Sequence, residues 1–247
     1  MAADGAPSVV RIASLAALDG EIVIAGEEAH YLTRVVRVRA GERVSATDGR
    51  GAIATLEILE TGSSIRARVL ERSRQVRRAT LELWCGAPEG DRADWLVEKL
   101  GELGVATFVP VHFKRTRWER AEAKRERWDR LATAALRQSR SAWQLEVRPP
   151  VPLAEALRSL APGTGRWVCQ AGGAPWVAPQ PAAVSAHFVA AVGPSSGFTE
   201  DELKSLWDGG FKPVSLARFR LRTETAAMTM AALWGAADNG GVRAAPP

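Results

Sequence analysis

The chain has 247 residues with 33 Lys or Arg against 28 Asp or Glu, a formal net charge of +5, and 46% hydrophobic composition. That balance excludes wholesale disorder and fibrous repeats, and the length fits one large or two modest domains. Two cysteines, Cys85 and Cys169, are too few for a disulfide framework and fit a reducing compartment, and the start MAADGAPSVV lacks a signal-peptide layout, so a cytoplasmic location without membrane anchorage is expected.

The first eighty residues read as β-rich. Val9–Ile12 and Glu21–Ile24 are strand candidates, and Gly26–Leu32 reads as a helix with Tyr31, Leu32, Val35 and Val36 at helical spacing. Arg43–Thr47 is extended, and Asp48-Gly49 signals a turn. Alternation at Ala54, Leu56 and Ile58, then at Ile65, Ala67 and Val69, flanks Thr-Gly-Ser-Ser and predicts a hairpin in a small barrel or half-barrel. Arg72, Arg74, Arg77 and Arg78 fall within seven residues without an acid, which suits a linker or an exposed basic rim.

Beyond this point strands and helices alternate, as in an α/β domain with a largely parallel sheet. Leu81–Ala87 is a strand. Asp91 and Asp94 suit the cap and third-helical positions of a helix carrying Trp95, Leu96, Leu100 and Leu103. Trp118–Arg140 reads as one long helix with Trp118, Ala121, Trp128, Leu131 and Ala135 on one side. Further strands are expected at Trp167–Gln170, Phe188–Val192 and Val214–Leu216. Thr199 with Glu202 forms a second capping box, and Thr223 is expected to cap the last helix.

Several motifs fail on inspection. Gly193-Pro194-Ser195-Ser196-Gly197 matches a nucleophile elbow, but His30, His112 and His187 all precede it, whereas that chemistry places its base downstream. Gly49-Arg50-Gly51 opens a dinucleotide-like pattern but runs into a strand where a helix is needed. No histidine or cysteine cluster supports a metal. Of the nine tryptophans, Trp95, Trp128 and Trp234 sit at core spacing.

Combined motifs point further. Gly193-Pro194-Ser195-Ser196-Gly197-Phe198-Thr199 with Glu202 resembles the G-P-E-G-G-[FL]-[ST]-x-x-E signature of the SPOUT-class 16S rRNA uridine-N3 methyltransferases. Leu216-Ala217-Arg218-Phe219-Arg220-Leu221-Arg222-Thr223-Glu224-Thr225-Ala226 resembles that family's L-G-x-R-I-L-R-x-E-T-A. Gly90–Val105 is similar to its G-(D/E)-(R/K)-x-(D/E)-x-x-x-x-K-x-x-E-L-G-V helix, Gln138-Ser139 to its E-Q-(S/C)-G-R, and Glu28–Arg37 with Asp48-Gly49 to its first-domain motifs.

The resemblance implies a PUA-like β-barrel RNA-binding domain over 1–78 and a SPOUT α/β methyltransferase domain with a C-terminal trefoil knot over 79–247. It implies a homodimer that uses S-adenosylmethionine to methylate uridine N3 in 16S rRNA, alone or within the 30S subunit. Arg222 and Glu224 become the catalytic candidates. Gly193, Pro194 and Gly197, together with Leu216, Ala217, Arg218, Phe219, Leu221 and Thr225, become cofactor candidates, with Gln170–Gly173 as a third wall. Arg34, Arg37, Arg66, Arg68, Arg74 and Arg77 become RNA-binding candidates. The family's Glu-Gly is Ser195-Ser196 here, its strand-end Gly is Ala217, and Arg137 and Arg140 stand where its Glu and Gly precede and follow Gln138-Ser139. If position 217 needs positive φ, alanine strains it. These departures leave two other readings: a noncatalytic RNA-binding relative, or a SPOUT enzyme acting on another RNA position.

Overall fold

The computed structural model describes residues 8–13, 15, 19–119, 121–179 and 186–238. The first seven residues, read above for a signal layout, and Arg120 of the long helix candidate lie outside them. The chain separates into two units, Met1–Val76 with Thr133–Gln144, and Arg77–Ala132 with Leu145–Pro247. A single cut at residue 78 therefore misses Thr133–Gln144. Hydrogen bonds join that segment to the first unit: the Thr47 hydroxyl donates to the Ala142 carbonyl at 3.1 Å, and the Gln144 amide to the Gly49 carbonyl at 2.9 Å.

The first unit is a five-stranded sheet in the order β1-β3-β4-β5-β2. Its strands are β1 (Val9–Arg11), β2 (Glu21–Ile24), β3 (Arg43–Thr47), β4 (Ala52–Glu60) and β5 (Ile65–Arg74). Only β1 and β3 pair in parallel. The period-2 pattern buries Ala52, Ala54, Leu56 and Ile58 from β4 and Ile65 and Ala67 from β5 against Val10, Leu15 and Leu32. The predicted hairpin is present and longer than expected. β5 runs to Arg74, opposite Ala52, so half of the arginine-rich stretch is strand. Helix α1 (Gly26–His30) continues as one wide π-type turn over Tyr31–Val36, ended by Arg37 at φ 62°. Gly51 explains the misleading glycine pattern: a Cβ there would lie 2.5 Å from the Trp143 ring, so the glycine serves packing.

The second unit holds a parallel sheet in the order β12-β10-β11-β6-β7-β8, with β9 also on β7. The strands are β6 (Ala79–Cys85), β7 (Thr107–His112), β8 (Glu146–Val147), β9 (Val151–Pro152), β10 (Gly165–Pro175), β11 (Ala186–Val192) and β12 (Lys212–Ser215). The helices are α2 (Arg92–Glu102), α4 (Leu153–Arg158), α5 (Glu200–Asp208) and α6 (Thr223–Asp238), with the first half of α3 (Arg125–Ser139), whose residues from Thr133 on belong to the first unit. Both faces are covered, as parallel sheets require. Leu81, Leu83 and Cys85 of β6 join one core with Leu96 and Leu100 of α2 and Met230 and Trp234 of α6. Trp84, one residue out of phase, joins the other with Val168, Val189 and Leu206.

Three local expectations change and one holds. The helix α3 starts at Arg125, after a 3-10 turn at Glu122–Lys124, because Trp118 is held off it by its indole N–H donating to the Cys85 carbonyl at 2.8 Å. Trp118 and Trp128 still pack edge to face, with centroids 5.7 Å apart. Asp91 makes no side-chain cap, and Asp94 instead accepts from the Trp128 indole at 2.8 Å and pairs with Arg127 at 2.6 Å. Trp95 is 45% exposed, on the outer side of α2. The Thr199–Glu202 capping box is formed, with both reciprocal bonds present at 2.7 and 3.3 Å.

Candidate active site

In open parallel sheets, ligand crevices lie beyond the carboxyl ends of the strands. Here the middle of β10 and the chain leaving β11 and β12 surround a cavity of about 580 Å³. The turn after β11 supplies Gly193, Pro194 and Gly197, and the loop after β12 supplies Leu216, Ala217, Phe219 and Leu221. Arg222 and Glu224 also line it. The chain therefore gathers most of the candidates from two segments that are about twenty residues apart in sequence.

Two candidates fall outside. Arg218 is exposed and lies over the Phe219 ring, 5.4 Å from its centroid. Thr225 is turned away, because the first turn of α6 directs Thr223, Glu224 and Ala226 to the cavity and residue 225 to the opposite side. Of the third wall, Gln170 and Ala171 line the cavity. Gly173 instead sits in a bulge of β10, where a Cβ would meet the Pro213–Val214 backbone at 2.8 Å.

The turn after β11 is fixed from several sides. Thr223 is the first residue of α6, and its hydroxyl donates to the Gly193 carbonyl at 3.0 Å, tying the turn to the helix in place of capping it. Gly197 has φ +74°, where a side chain would be strained. Arg220 donates to the Ser195 carbonyl at 3.1 Å and Arg115 to the Ser196 carbonyl at 3.2 Å, while the Ser196 and Thr116 hydroxyls bond at 3.1 Å. Of these bonds, only the one made by the Ser196 hydroxyl depends on the side chain and would be lost with a Gly at 196. Ala217 carries no strain: among the described non-glycine residues, left-handed backbone occurs at Arg37 and Arg140. Arg140, at φ 55°, occupies the position of the family's glycine, so the strain expected at 217 belongs there. Arg137, the neighbouring departure, forms an ion pair with Glu28 and lies 4.3 Å from the centroid of the Tyr31 ring.

Glu224 is 3% exposed and forms an ion pair with Arg92, the first residue of α2. It does not orient Arg222, which stands exposed at the cavity mouth. Sequence reasoning missed Arg92 as a partner. The available signal was an acid followed by a largely apolar helix, Ala226–Trp234, since buried carboxylates are almost always paired. Cys169 also lines the cavity, and burial pushes its thiol up to about 12, so it contributes a neutral surface.

The remaining arginines lie mostly on the first unit. Arg34 and Arg37 are exposed. Arg66 pairs with Glu60 at 3.2 Å and Glu21 at 3.7 Å, and Arg68 with Glu21 at 3.3 Å and Glu57 at 3.4 Å. Arg74 donates to the Arg50 carbonyl at 3.3 Å, and Arg77 belongs to the second unit. Acids on neighbouring strands offset part of the basic rim.

Known proteins share these features. The model of an RNA methyltransferase domain matches residues 76–235, and that of an RNA methyltransferase PUA domain matches residues 24–70. Ribosomal RNA small subunit methyltransferase E of Synechocystis sp. is 29% identical over 85% of this chain and 71% of its own length. The enzyme of the same name from Mycobacterium bovis is 29% identical over 83% and 82%. A structure of methyltransferase E from Neisseria gonorrhoeae, bound to S-adenosyl methionine, superposes with a TM-score of 0.82 at 25% identity, covering 92% of this chain and 98% of that one. With a PUA domain ahead of a parallel α/β domain, and one family model spanning the cavity and the strands that build it, the chain belongs to the RNA methyltransferase family.

Proposed function

We propose that this protein transfers the methyl group of S-adenosylmethionine to N3 of a uridine in 16S rRNA. The observation that carries this reading is the cavity at the carboxyl ends of β11 and β12, beside β10, with Arg222 at its mouth. Its volume falls in the range of small-molecule sites, roughly 300–1,000 Å³.

The residues fit the cofactor. Val192, Phe198, Leu203, Leu216 and Leu221 offer an apolar surface suited to an adenine ring, while Gly193, Gly197 and Ala217 leave the backbone open to polar contacts. Bound S-adenosylmethionine supplies an electrophilic methyl on sulfur. The chain's own part is positioning and charge. Two arginine–carbonyl bonds and the Thr223 hydroxyl hold the turn that forms one wall, which favours alignment of the reacting atoms. As the imide proton passes to solvent water, negative charge spreads over N3 and its flanking oxygens, and the Arg222 guanidinium is suited to bind it. Glu224, already paired with Arg92, serves as a fixed support at the wall. Arg34, Arg37, Arg66, Arg68, Arg74 and Arg77 contribute phosphate contacts, with the paired ones exchanging a carboxylate for phosphate at small cost because surface pairs are weak.

The reading carries with it a cytoplasmic homodimer acting on assembled or free small-subunit RNA. Methyl transfer to purified 30S subunits lacking the modification, followed by nucleoside mass spectrometry, tests it. N3-methyluridine is the expected product. A methylated ribose or another base would favour a different RNA position, and no cofactor binding would favour the noncatalytic relative. Sedimentation equilibrium should read twice 26.6 kDa.

A further inference from the structure

Phe219 is 74% exposed, the most exposed aromatic ring among the described residues, yet it stands on the rim of the cavity. Scattered exposed apolar side chains need no explanation by themselves. This one differs in its setting. It alternates with Arg218, Arg220 and Arg222, all exposed, in the single loop that links β12 to α6. The Arg218 guanidinium lies 5.4 Å from its ring centroid, and Arg220 is anchored on the Ser195 carbonyl at 3.1 Å. Glu224, the acid nearest in sequence, is buried and paired with Arg92. Glu89, which is exposed, also lines the cavity, so the positive charge belongs to this loop, which presents one flat apolar face between arginines.

We propose that Phe219 is the platform on which the target nucleobase stacks after leaving the RNA, so that it determines substrate positioning and not cofactor affinity. A base inside a helix cannot reach a cavity, and enzymes that modify bases receive them splayed out and stacked on aromatic or apolar side chains. Every base has a π-face, and the arginines on either side suit the flanking phosphates. A second copy of the chain is the poorer occupant. A two-fold contact centred on this loop would bring both copies' Arg218, Arg220 and Arg222 together, a like-charge juxtaposition that disfavours association.

The assignment rests on the RNA methyltransferase reading, and the test separates the two. Phe219→Ala, Phe219→Leu and Phe219→Trp are compared with the parent in methyl transfer to 30S subunits, calorimetric titration with S-adenosylmethionine, and anisotropy titration of a labelled single-stranded uridine-rich oligonucleotide. Losing one stacking contact predicts that Phe219→Ala and Phe219→Leu lower kcat/KM and oligonucleotide affinity by about 5- to 100-fold, while Phe219→Trp keeps both. Cofactor affinity should stay within about two-fold in all three, because the ring would act on the substrate alone. Rescue by leucine equal to that by tryptophan would overturn stacking. A parallel loss of cofactor affinity would return Phe219 to the cofactor wall, and dissociation of a parent dimer in Phe219→Ala would assign the ring to a second copy. If the parent itself transfers no methyl group, the substrate reading fails, and oligonucleotide affinity still decides the platform: equal binding by parent and Phe219→Ala overturns it.

Discussion

Gly86 follows β6 directly, and no side chain fits there. An alanine methyl would lie 2.5 Å from the Pro194 nitrogen, 2.7 Å from its Cα and 2.8 Å from its Cβ, all on or next to the backbone. Ordinary contact begins at 3.4 Å, so about 1 Å must open between the two segments. The Gly86 side has little freedom to recede, because Cys85 is fully buried in the core and the Gly86 amide donates to the Val192 carbonyl at 2.9 Å. The displacement therefore falls on the Gly193–Pro194 turn, a wall of the cavity. Overpacking of this kind costs about 1–3 kcal/mol of stability. A misplacement of about 1 Å at a site can cost on the order of a hundredfold in rate. Urea unfolding and calorimetric titration of Gly86→Ala with S-adenosylmethionine should show a stability loss in that range, with cofactor affinity down by about ten-fold or more. Gly62→Ala is the control: its methyl would meet the Ser64 carbonyl at an ordinary 3.6 Å in the hairpin of the first unit, and neither readout should change. Parental cofactor affinity in a destabilised Gly86→Ala would refute the placement of the cofactor against this turn. No change in either readout would refute the tight backbone approach itself.

Removing Arg92 strands the Glu224 carboxylate. Breaking a fully buried pair costs about 3–5 kcal/mol and an exposed one about 0.2–1 kcal/mol. With Glu224 buried but the Arg92 side chain 42% exposed, Arg92→Ala should cost about 2 kcal/mol, and a double-mutant cycle with Glu224→Gln that finds coupling under about 0.5 kcal/mol would remove the pair from the account. Arg222→Ala should lower turnover by about 10²- to 10³-fold while leaving the calorimetric cofactor affinity unchanged, and equal losses in both would contradict its assigned role. At Glu82, burial alone raises the carboxyl, but the His187 ring 3.6 Å away, a hydrogen bond from the Trp84 indole at 2.6 Å and Arg148 at 3.4 Å hold it below its ordinary 4.5. The unfolded chain then binds more protons than the folded one below that value, so the stability Glu82 contributes is full above pH 4.5 and is lost as pH falls through the depressed folded value. Urea midpoints across this range should fall less steeply for Glu82→Gln than for the parent, and parallel curves would exclude Glu82 as a source of acid sensitivity.

Local patterns carried much of the architecture. The alternation in β4 and β5 set the hairpin and its buried face, because a period of two leaves one register that buries every apolar residue. The Thr199–Glu202 box marked the start of α5, since both of its bonds close within four residues. The same kind of local reading failed at Asp91–Asp94, where a tryptophan 34 positions away took the second carboxylate. It failed at Trp118 as well, where a carbonyl of β6 held the indole off the helix.

The residues at the mouth of the cavity divide in the same way. Motif order alone grouped the turn at 193–197 with the segment at 216–224, because both are short segments whose residue types survive as a pattern along the chain. Tertiary structure alone could pair Glu224 with Arg92, 132 positions away, assign the left-handed backbone to Arg140 and not Ala217, and leave Phe219 in water among arginines. Helix caps, alternation and motifs depend on neighbours within a few residues. Burial, ion pairing and backbone conformation at a site depend on which distant segments the sheet brings together, and that is settled only when the strands take their order.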